Sequence, residues 1–352
     1  MRRSRRILLL SAYRADSHAW WADWLQSAFP DVDWQVLELP GRHFRWRIRG
    51  NPLSWLEPME AALANADAVL ATSMVDLATL RGLFPALTRI PNLYYFHENQ
   101  FAYPTRAQQI RSLEPQMVQL YGALAADEVL FNSQWNRDSF LAGVDALLER
   151  MPDAVPKALS ARLAAKSQVI PVPLKPIKLN GAIVRDEQLI VWNHRWEYDK
   201  APEVFAEALE LLAKRGVDFR LALLGSRPVT TPHALMTIQT QFDPVIVANA
   251  HLPRADYERT LSQAAIAVST AIHEFQGLAM LEAASAGAVP LVPDTLVYPE
   301  HFALAYRYQA SNTQALAERL AHWLDRERPK APDVSAWEPA ILTPQWAKAL
   351  GI

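Results

Sequence analysis

Two hydrophobic patterns alternate along the whole chain, and this alternation restricts its fold more than any other feature. Short apolar runs rich in leucine or β-branched residues, typical of buried strands, are separated by longer amphipathic stretches, typical of helices. Repeated strand–helix–strand units build parallel sheets covered by helices, so we predict an α/β protein. The predicted strands are residues 6–11, 34–39, 68–73, 93–96, 128–133, 168–172, 189–193, 219–225, 245–249, 265–270 and 288–293.

A proline-rich stretch at about residues 172–186 divides this pattern into two halves, and we interpret it as a linker. The halves predict two Rossmann-like domains, residues 1–175 and 187–335, whose parallel sheets face each other across a cleft. Residues 336–352 predict a helix that packs back on the first domain. In open parallel sheets, ligands bind beyond the carboxyl ends of the strands, so the residues that follow each strand are the candidates for function.

The composition argues against several kinds of site and partner. No cysteine is present, which excludes disulfides, zinc–thiolate sites and cysteine nucleophiles and is compatible with a reducing, cytoplasmic location. A net charge of −2 argues against nucleic-acid binding by a general basic excess and leaves only a local basic patch. No apolar run approaches the roughly 20 residues that span a bilayer, so we expect no membrane partner. No feature indicates an obligate protein partner.

The stretch HEFQGLAMLEAASAG, residues 273–287, follows a predicted strand. Gly277 permits close backbone approach, and a helix that begins near Leu278 presents unpaired N–H groups to an anion such as a phosphate. Glu274 precedes this helix and can reach past a phosphate, while Glu282 can accept two hydrogen bonds from a ribose. Glu282 is alternatively an ordinary helix-face residue, but its neighbours are almost wholly apolar, where an unpaired carboxylate is costly.

Charged or titratable side chains follow two other predicted strands. Arg195 and Lys200, in the loop NHRWEYDKAPE, can neutralise a diphosphate leaving group without a metal ion, although such residues in a loop are more often solvated charges. His97 ends an aromatic-rich strand, where it can orient a sugar hydroxyl, transfer a proton, or serve a structural role. It belongs to no HExxH zinc site, because Phe101 stands in place of the second histidine.

The stretch PGRHFRWRIRGNP contains four arginines and no acidic residue. If it is extended, Arg45, Arg47 and Arg49 share one face and the aromatic residues share the other. It is then either a solvated surface strand or a platform for single-stranded nucleic acid, with arginines for phosphates and Trp46 for a base. The residues alone favour neither interpretation.

These motifs together resemble a known family. The E-x7-E element from Glu274 to Glu282, with Arg195 and Lys200, resembles the donor site of retaining GT-B glycosyltransferases of family 4. Longer blocks within residues 6–325 resemble the tRNA-queuosine mannosyltransferases, which place mannose on the queuosine base of aspartate tRNA. The blocks are LPGRHFRWRIRGNPLSW, YYFHENQFAYP, FNSQWNRDSFL, NHRWEYDKAPE and TAIHEFQGLAMLEAASAGAVPLVPDTLVYPE.

The resemblance implies a GT-B fold, a GDP-mannose donor, a queuosine-containing tRNA as acceptor, retained anomeric configuration, and neither a metal ion nor another cofactor. It assigns the catalytic contacts with the transferred sugar to Glu274 and His97. It assigns donor binding to Arg195, Lys200, His194, Gly277, Leu278 and Glu282, with Glu282 on the ribose and the cationic pair on the diphosphate. We further predict that the acceptor is bound by Ser17, His18, Arg45, Trp46, Arg47 and Asn132.

Two other functions remain open. The family has a glycine pair before Ser17 and His18, where this chain has Ala15 and Asp16. This bulkier, more acidic loop favours a glycosyltransferase whose acceptor is a small glycan, glycoside or lipid. The third hypothesis is a nucleotide-binding module that has lost catalysis and binds RNA or regulates a partner.

Overall fold

The computed structural model describes residues 3–104, 112–177, 183–228 and 230–352. The chain divides into two structural units: the first comprises Met1–Pro173 with Ala340–Ile352, and the second comprises Leu174–Pro339. The linker predicted at about residues 172–186 includes residues 178–182, which lie outside the described part of the chain.

The first unit is built on a six-stranded sheet. Its strands are β1 (Arg6–Arg14), β2 (Asp33–Pro40), β3 (Ala68–Thr72), β4 (Asn92–Phe96), β5 (Glu128–Phe131) and β6 (Ser167–Val169). They lie in the order β2-β1-β3-β4-β5-β6, and each pairing is parallel. The helices of this part of the chain are α1 (Asp16–Ala28), α2 (Phe44–Ser54), α3 (Pro58–Leu63), α4 (Leu77–Leu83), α5 (Glu114–Ala125), α6 (Gln134–Leu148) and α7 (Leu159–Ala164).

The second unit repeats this architecture on another six-stranded sheet. Its strands are β7 (Asp186–Trp192), β8 (Arg220–Leu223), β9 (Ile246–Asn249), β10 (Ala264–Val268), β11 (Val289–Pro293) and β12 (Arg307–Tyr308). They lie in the parallel order β12-β11-β10-β7-β8-β9, so the strand order reverses between β7 and β10. Its helices are α8 (Pro202–Lys214), α9 (His233–Phe242), α10 (Arg254–Gln263), α11 (Leu278–Ser285), α12 (Tyr298–His301) and α13 (Thr313–Asp325).

The two parallel sheets confirm the predicted α/β class. Each predicted strand overlaps an observed one, because strands covered by helices on both faces appear in the sequence as continuous apolar runs. In β1, for example, Leu8, Leu9 and Leu10 are all fully buried. The short strand β12 was not predicted, since two residues make no pattern. Among the described residues, no helix is long and apolar enough to cross a membrane.

Residues 45–49 are helical and not extended, so the condition for Arg45, Arg47 and Arg49 to share one face is not met; the stretch lies in helix α2. Phe44 packs against the core of the first unit, and Ile48 and Asn51 are buried on the same side. Their spacing of four and three residues is helical. A helix therefore places all three residues toward the core. The alternation of arginines with apolar residues, which would suit a strand, extends over only a few residues.

The last helix, α14 (Pro339–Leu350), places an indole in the first unit. Trp346 is fully buried, with ring centroids 5.5 Å from Trp21 and 4.9 Å from Tyr95. Its Nε1–H donates to the carbonyl of Pro171 at 3.1 Å. The same two aromatic rings lie 4.8 Å and 4.7 Å from the His97 ring, so Trp346 supports the residues around that histidine.

Replacing Trp346 with Ala should destabilise the first unit by about 3–5 kcal/mol, since it leaves a cavity in place of a buried indole. Urea unfolding followed by tryptophan fluorescence and circular dichroism measures the loss. The matched control is Ile341→Ala on the exposed side of the same helix, which should change stability by no more than about 0.5 kcal/mol. Equal losses in the two variants would contradict this packing.

Candidate functional site

Lys200 is the centre of a buried charged cluster in the second unit. Its ammonium group donates a 2.7 Å hydrogen bond to the carbonyl of His273 and lies 3.2 Å from Glu274 Oε2 and 3.3 Å from Asp199 Oδ2. Only 8% of the Lys200 side chain is exposed. Because a lone charge is costly to bury, this lysine depends on the two carboxylates.

Backbone hydrogen bonds hold the loops that bring these groups together. Lys200 follows β7, and Glu274 follows β10, so both lie beyond carboxyl ends where the strand order reverses. The Ile272 N–H donates to the carbonyl of Asp199 at 2.9 Å, and the Thr270 hydroxyl donates to the carbonyl of Lys200 at 2.7 Å. Hydrogen bonds to the main chain of Asp199 and Lys200 therefore help to position the ion pair, in addition to the contacts between its side chains.

Glu274 is ionised in this environment. Its carboxylate accepts the N–H of Phe275 at 3.1 Å and the N–H of Gly277. Burial alone would raise its pKa. Lys200, His194 and the hydrogen bond from the Gly277 N–H lower it by a larger amount, so the pKa falls from 4.5 to about 2. Burial lowers the pKa of Lys200, yet Glu274 and Asp199 raise it above its usual value. Both members of the pair are therefore charged near neutral pH.

Helix α11 begins beside this ion pair. Gly277 caps it with a φ of +69°, in the left-handed region, and a Cβ at this position would lie 3.1 Å from the Tyr298 ring. Leu278 and Ala279 are the first two residues of α11, so their N–H groups have no intrahelical acceptor. Such a helix start attracts anions, phosphates included.

Glu282, one turn into α11, has both carboxylate oxygens engaged. Arg254 Nη1 donates to Oε1 at 2.9 Å, and the Tyr257 hydroxyl donates to Oε2 at 3.0 Å. Asn193 donates in turn to the Tyr257 hydroxyl at 3.0 Å. Burial and the neighbouring Glu282 raise the pKa of Tyr257 well above its usual value, so this hydroxyl keeps the proton that it donates. Helix α10 thereby fixes the orientation of the carboxylate.

His194 and Arg195 follow β7 but lie in different surroundings. His194 is buried, and no hydrogen-bond partner for its Nε2 is found within the described residues. Burial, followed by the charge of Lys200, lowers the pKa of His194 to about 3, so the ring is neutral. Arg195 is half exposed, with Nη1 3.3 Å from Glu197 Oε1. Its charge lowers the pKa of Lys200, against the larger effect of Glu274 and Asp199.

In the first unit, His18 and His97 form a pair. Both are buried, and their ring centroids are 3.9 Å apart. Burial and the nearby His18 lower the pKa of His97 well below its usual value. Its Nε2 is buried without a hydrogen-bond partner in the part of the chain that the structure describes. Ser17, at the start of α1, is partly exposed beside this pair.

The other predicted acceptor residues lie in three different settings. Asn132 is committed to the interior: its amide nitrogen donates to the carbonyl of His97 at 2.8 Å, and its oxygen accepts from Asn136 at 2.8 Å. Arg45 and Trp46 are exposed on α2. Arg47 is only partly exposed, with a buried Nε. These acceptor roles stay predictions.

Several residues of the site were not predicted. The apolar surroundings of Glu282 indicated that it needs a partner, but nothing in the sequence points to Arg254 or Tyr257, which lie on another helix. Asp199 directly precedes Lys200, and this acid–base pair at the end of a loop is a signal that was readable. Within the described ranges, no group of three or more histidine, aspartate or glutamate side chains is placed to hold a metal ion.

Comparison with known proteins identifies related sequences over most of the chain. A family model described as tRNA-queuosine alpha-mannosyltransferase N-terminal matches residues 6–174, and one described as glycosyl transferases group 1 matches residues 177–335. A tRNA-queuosine alpha-mannosyltransferase of Drosophila melanogaster is 35% identical over 327 residues, which cover 89% of this chain and 85% of that protein.

Solved structures share the fold at low sequence identity. Sucrose-phosphate synthase from Thermosynechococcus elongatus matches with a TM-score of 0.67 and 13% identity, over 99% of this chain and 98% of that one. Anabaena Alr3699/HepE, solved in complex with UDP and glucose, matches with a TM-score of 0.66 and 13% identity, over 99% of each chain. With the two parallel sheets, these neighbours confirm the predicted GT-B fold.

Replacing Glu274 with Gln should show the effect of its low pKa on stability. The ionised carboxylate stabilises the folded chain above pH 4.5, and this contribution is lost as the pH falls toward 2, because the unfolded carboxyl group takes up its proton first. The difference in unfolding free energy between the wild type and Glu274→Gln should therefore shrink between about pH 5 and pH 3.

Thermal unfolding of both proteins across this range measures the difference. The control is Glu327→Gln, at an exposed carboxylate of the same unit, for which the difference from wild type should stay small and flat. A wild-type advantage over Glu274→Gln that does not change with pH would contradict an ionised Glu274 held by Lys200.

Proposed function

The chain belongs to the tRNA-queuosine α-mannosyltransferase family, and on this basis we propose that it transfers mannose from GDP-mannose to the queuosine base of a tRNA. The proposed acceptor is aspartate tRNA. The proposed reaction retains the anomeric configuration and needs neither a metal ion nor another cofactor. Since its substrate is a tRNA, we place it in the cytoplasm, with the tRNA and the nucleotide sugar as its only required partners.

One arrangement in the second unit supports a nucleotide-sugar donor: a helix start suited to anions, with a cation beside it and a fixed carboxylate one turn along. The N–H groups of Leu278 and Ala279 and the ammonium group of Lys200 suit a diphosphate. Glu282 lies about 6 Å farther along the helix axis, within reach of the adjoining ribose. Glu274, at the helix start, is then left for the sugar.

In the proposed reaction, the bond between mannose C1 and the diphosphate oxygen breaks, and C1 bonds to an acceptor hydroxyl oxygen on the same face. The hydroxyl proton passes to the leaving diphosphate, whose charge is stabilised by Lys200 and Arg195. Glu274 is a weak base, with a pKa of about 2, and it is paired with Lys200. We therefore assign it to holding mannose hydroxyls and not to proton transfer. We give His97 an analogous role through its Nε2, for which no hydrogen-bond partner is found among the described residues.

The reaction is tested with purified chain, GDP-mannose and queuosine-containing aspartate tRNA. We expect the mass of the tRNA to rise by one hexose, with no increase on the same tRNA carrying guanine in place of queuosine. Mass spectrometry of the digested tRNA locates the sugar. Lys200→Met should reduce the rate by about a hundredfold or more, since it removes a positive charge that stabilises the leaving diphosphate.

Two outcomes would point to the other functions. Mannosylation of a small glycoside or lipid, with none on tRNA, would favour the second acceptor class suggested by Ala15 and Asp16. Binding of GDP without transfer to any acceptor would indicate a nucleotide-binding module without catalysis.

Glu282 and the residue that orients it make a second, separable prediction. Glu282→Gln should weaken GDP binding by about 1–3 kcal/mol, because the substitution removes a charged acceptor of ribose hydrogen bonds. Tyr257→Phe removes the donor to Oε2, so the carboxylate is held on one side only. In both variants, the preference for GDP over 2′-deoxy-GDP should shrink, as measured by calorimetric titration.

The matched control is Glu258→Gln, which removes the other carboxylate bound to Arg254, 2.5 Å from its Nε. This variant should keep the wild-type preference for the ribose 2′-hydroxyl. If Tyr257→Phe weakens both nucleotides equally, Tyr257 supports the fold of the unit and does not position Glu282.

A further inference from the structure

Helix α2 presents an exposed basic and aromatic surface. Its members are Arg42, just before the helix, and Arg45, Trp46 and Arg49 within it; we call these four residues the α2 basic face. Arg42 and Arg45 are exposed, 50% of Trp46 is exposed, and 51% of the Arg49 side chain is exposed. Such a large exposed indole beside arginines is an uncommon surface for a solvated helix.

The helical period makes Arg49 a neighbour of two other members of this surface. At about 100° per residue, Arg49 lies about one turn beyond Arg45 and Trp46, at spacings of four and three residues. Arg47 lies on nearly the opposite side from Arg45 and is partly buried. In an extended strand, Arg47 would share a face with Arg45 and Arg49. In the helix it does not, and Trp46 lies beside Arg49 instead.

Gly50 allows Trp46 to lie flat on the helix. A Cβ at Gly50 would stand 2.5 Å from Trp46 Cε2, so the indole rests directly on the glycine backbone. One ring face is covered in this way, and the ring remains half exposed. A supported aromatic ring that is half exposed is suited to stack on a nucleic-acid base.

The charge of this face is only partly compensated. Arg49 Nη1 lies 2.5 Å from Asp76 Oδ2, a buried carboxylate. For Arg42 and Arg45, no carboxylate is found within ion-pair distance in the part of the chain that the structure describes. The sequence from residue 40 to residue 56 contains no acidic residue. The chain has a net charge of −2, so this local cationic surface contrasts with the rest.

The face begins at the carboxyl edge of the first sheet. Pro40, the last residue of β2, pairs with Arg14, the last residue of β1, and helix α1 follows two residues later. The Tyr13 and Phe44 rings contact each other at 6.3 Å. The segment that carries the α2 basic face therefore starts beside the loop that leads to Ser17 and His18, at the edge where ligands of parallel sheets bind.

We propose that the α2 basic face binds single-stranded RNA of the acceptor, with Arg42 and Arg45 on phosphates and Trp46 stacked on an unpaired base. This inference rests on the proposed function, which makes the acceptor a tRNA. An anionic lipid surface shares the negative charge, but a membrane-bound helix needs a broad apolar face, and beside Trp46 the exposed face of α2 offers only Leu53. The arrangement favours RNA.

The arginines are tested by the salt dependence of tRNA binding. Fluorescence anisotropy with queuosine-containing aspartate tRNA between about 50 and 200 mM salt gives the slope of log affinity against log salt. Arg42→Ala/Arg45→Ala should lower affinity by about tenfold and reduce the slope by roughly 0.7 for each phosphate that the variant no longer neutralises. The matched control is Arg89→Ala, at an exposed arginine of the same unit that precedes β4 at the opposite edge of the sheet. It should leave both quantities unchanged.

The tryptophan is tested separately. Trp46→Ala should lower affinity by about tenfold with the salt slope unchanged, whereas Trp46→Phe should retain most of the affinity because it still stacks. Gly50→Ala keeps every charged and aromatic group, but its methyl displaces the indole. It should therefore weaken RNA binding while helix stability stays equal or rises.

GDP affinity, measured on each variant, should not change, because the donor residues belong to the second unit. Wild-type affinity and slope in both the arginine and tryptophan variants would overturn the proposal. So would variants that lose binding to phosphatidylglycerol vesicles and keep binding to tRNA. RNA binding is measured without turnover, so failure of the mannosyl transfer would refute the proposed function alone.

Discussion

The buried ammonium group of Lys200 is the constraint on which the site depends. It needs anionic partners because it is removed from water, and Asp199 and Glu274 supply them from the same loop and from the loop after β10. The Ile272 N–H donates to the carbonyl of Asp199 and the Thr270 hydroxyl donates to the carbonyl of Lys200, and these two hydrogen bonds hold the loops together. Lys200 in turn lowers the pKa of Glu274, and it adds to the effect of burial that keeps His194 neutral.

This arrangement also divides the work between the two glutamates of the E-x7-E element. Glu274 is held by Lys200 and by backbone N–H groups, so it is a fixed acceptor of hydrogen bonds and a poor base. Glu282 is held by Arg254 and Tyr257, one turn farther along the helix. The two carboxylates are thereby oriented by separate partners, which suits contacts with two parts of one bound nucleotide sugar in the proposed function.

The sequence was informative where burial leaves a local pattern. Strands covered on both faces appear as apolar runs, so the α/β class was predictable. The helical conformation of α2 was not evident from residues 45–49, because alternation over five residues also fits a strand. The residues that face the core, partly buried Phe44 and buried Ile48 and Asn51, are spread over eight positions. The partners of Glu282 were not predictable, because Arg254 lies 28 residues away in sequence, on the helix that precedes β10, whereas Glu282 lies on the helix that follows it.

A crystal structure of the chain with GDP-mannose would show which groups hold the donor. We expect ribose hydroxyl oxygens at about 2.6–3.2 Å from Glu282, with the diphosphate at the N–H groups of Leu278 and Ala279 and near Lys200. Mannose would then contact Glu274. A nucleotide bound elsewhere, or a ribose that leaves Glu282 contacted only by Arg254 and Tyr257, would contradict it.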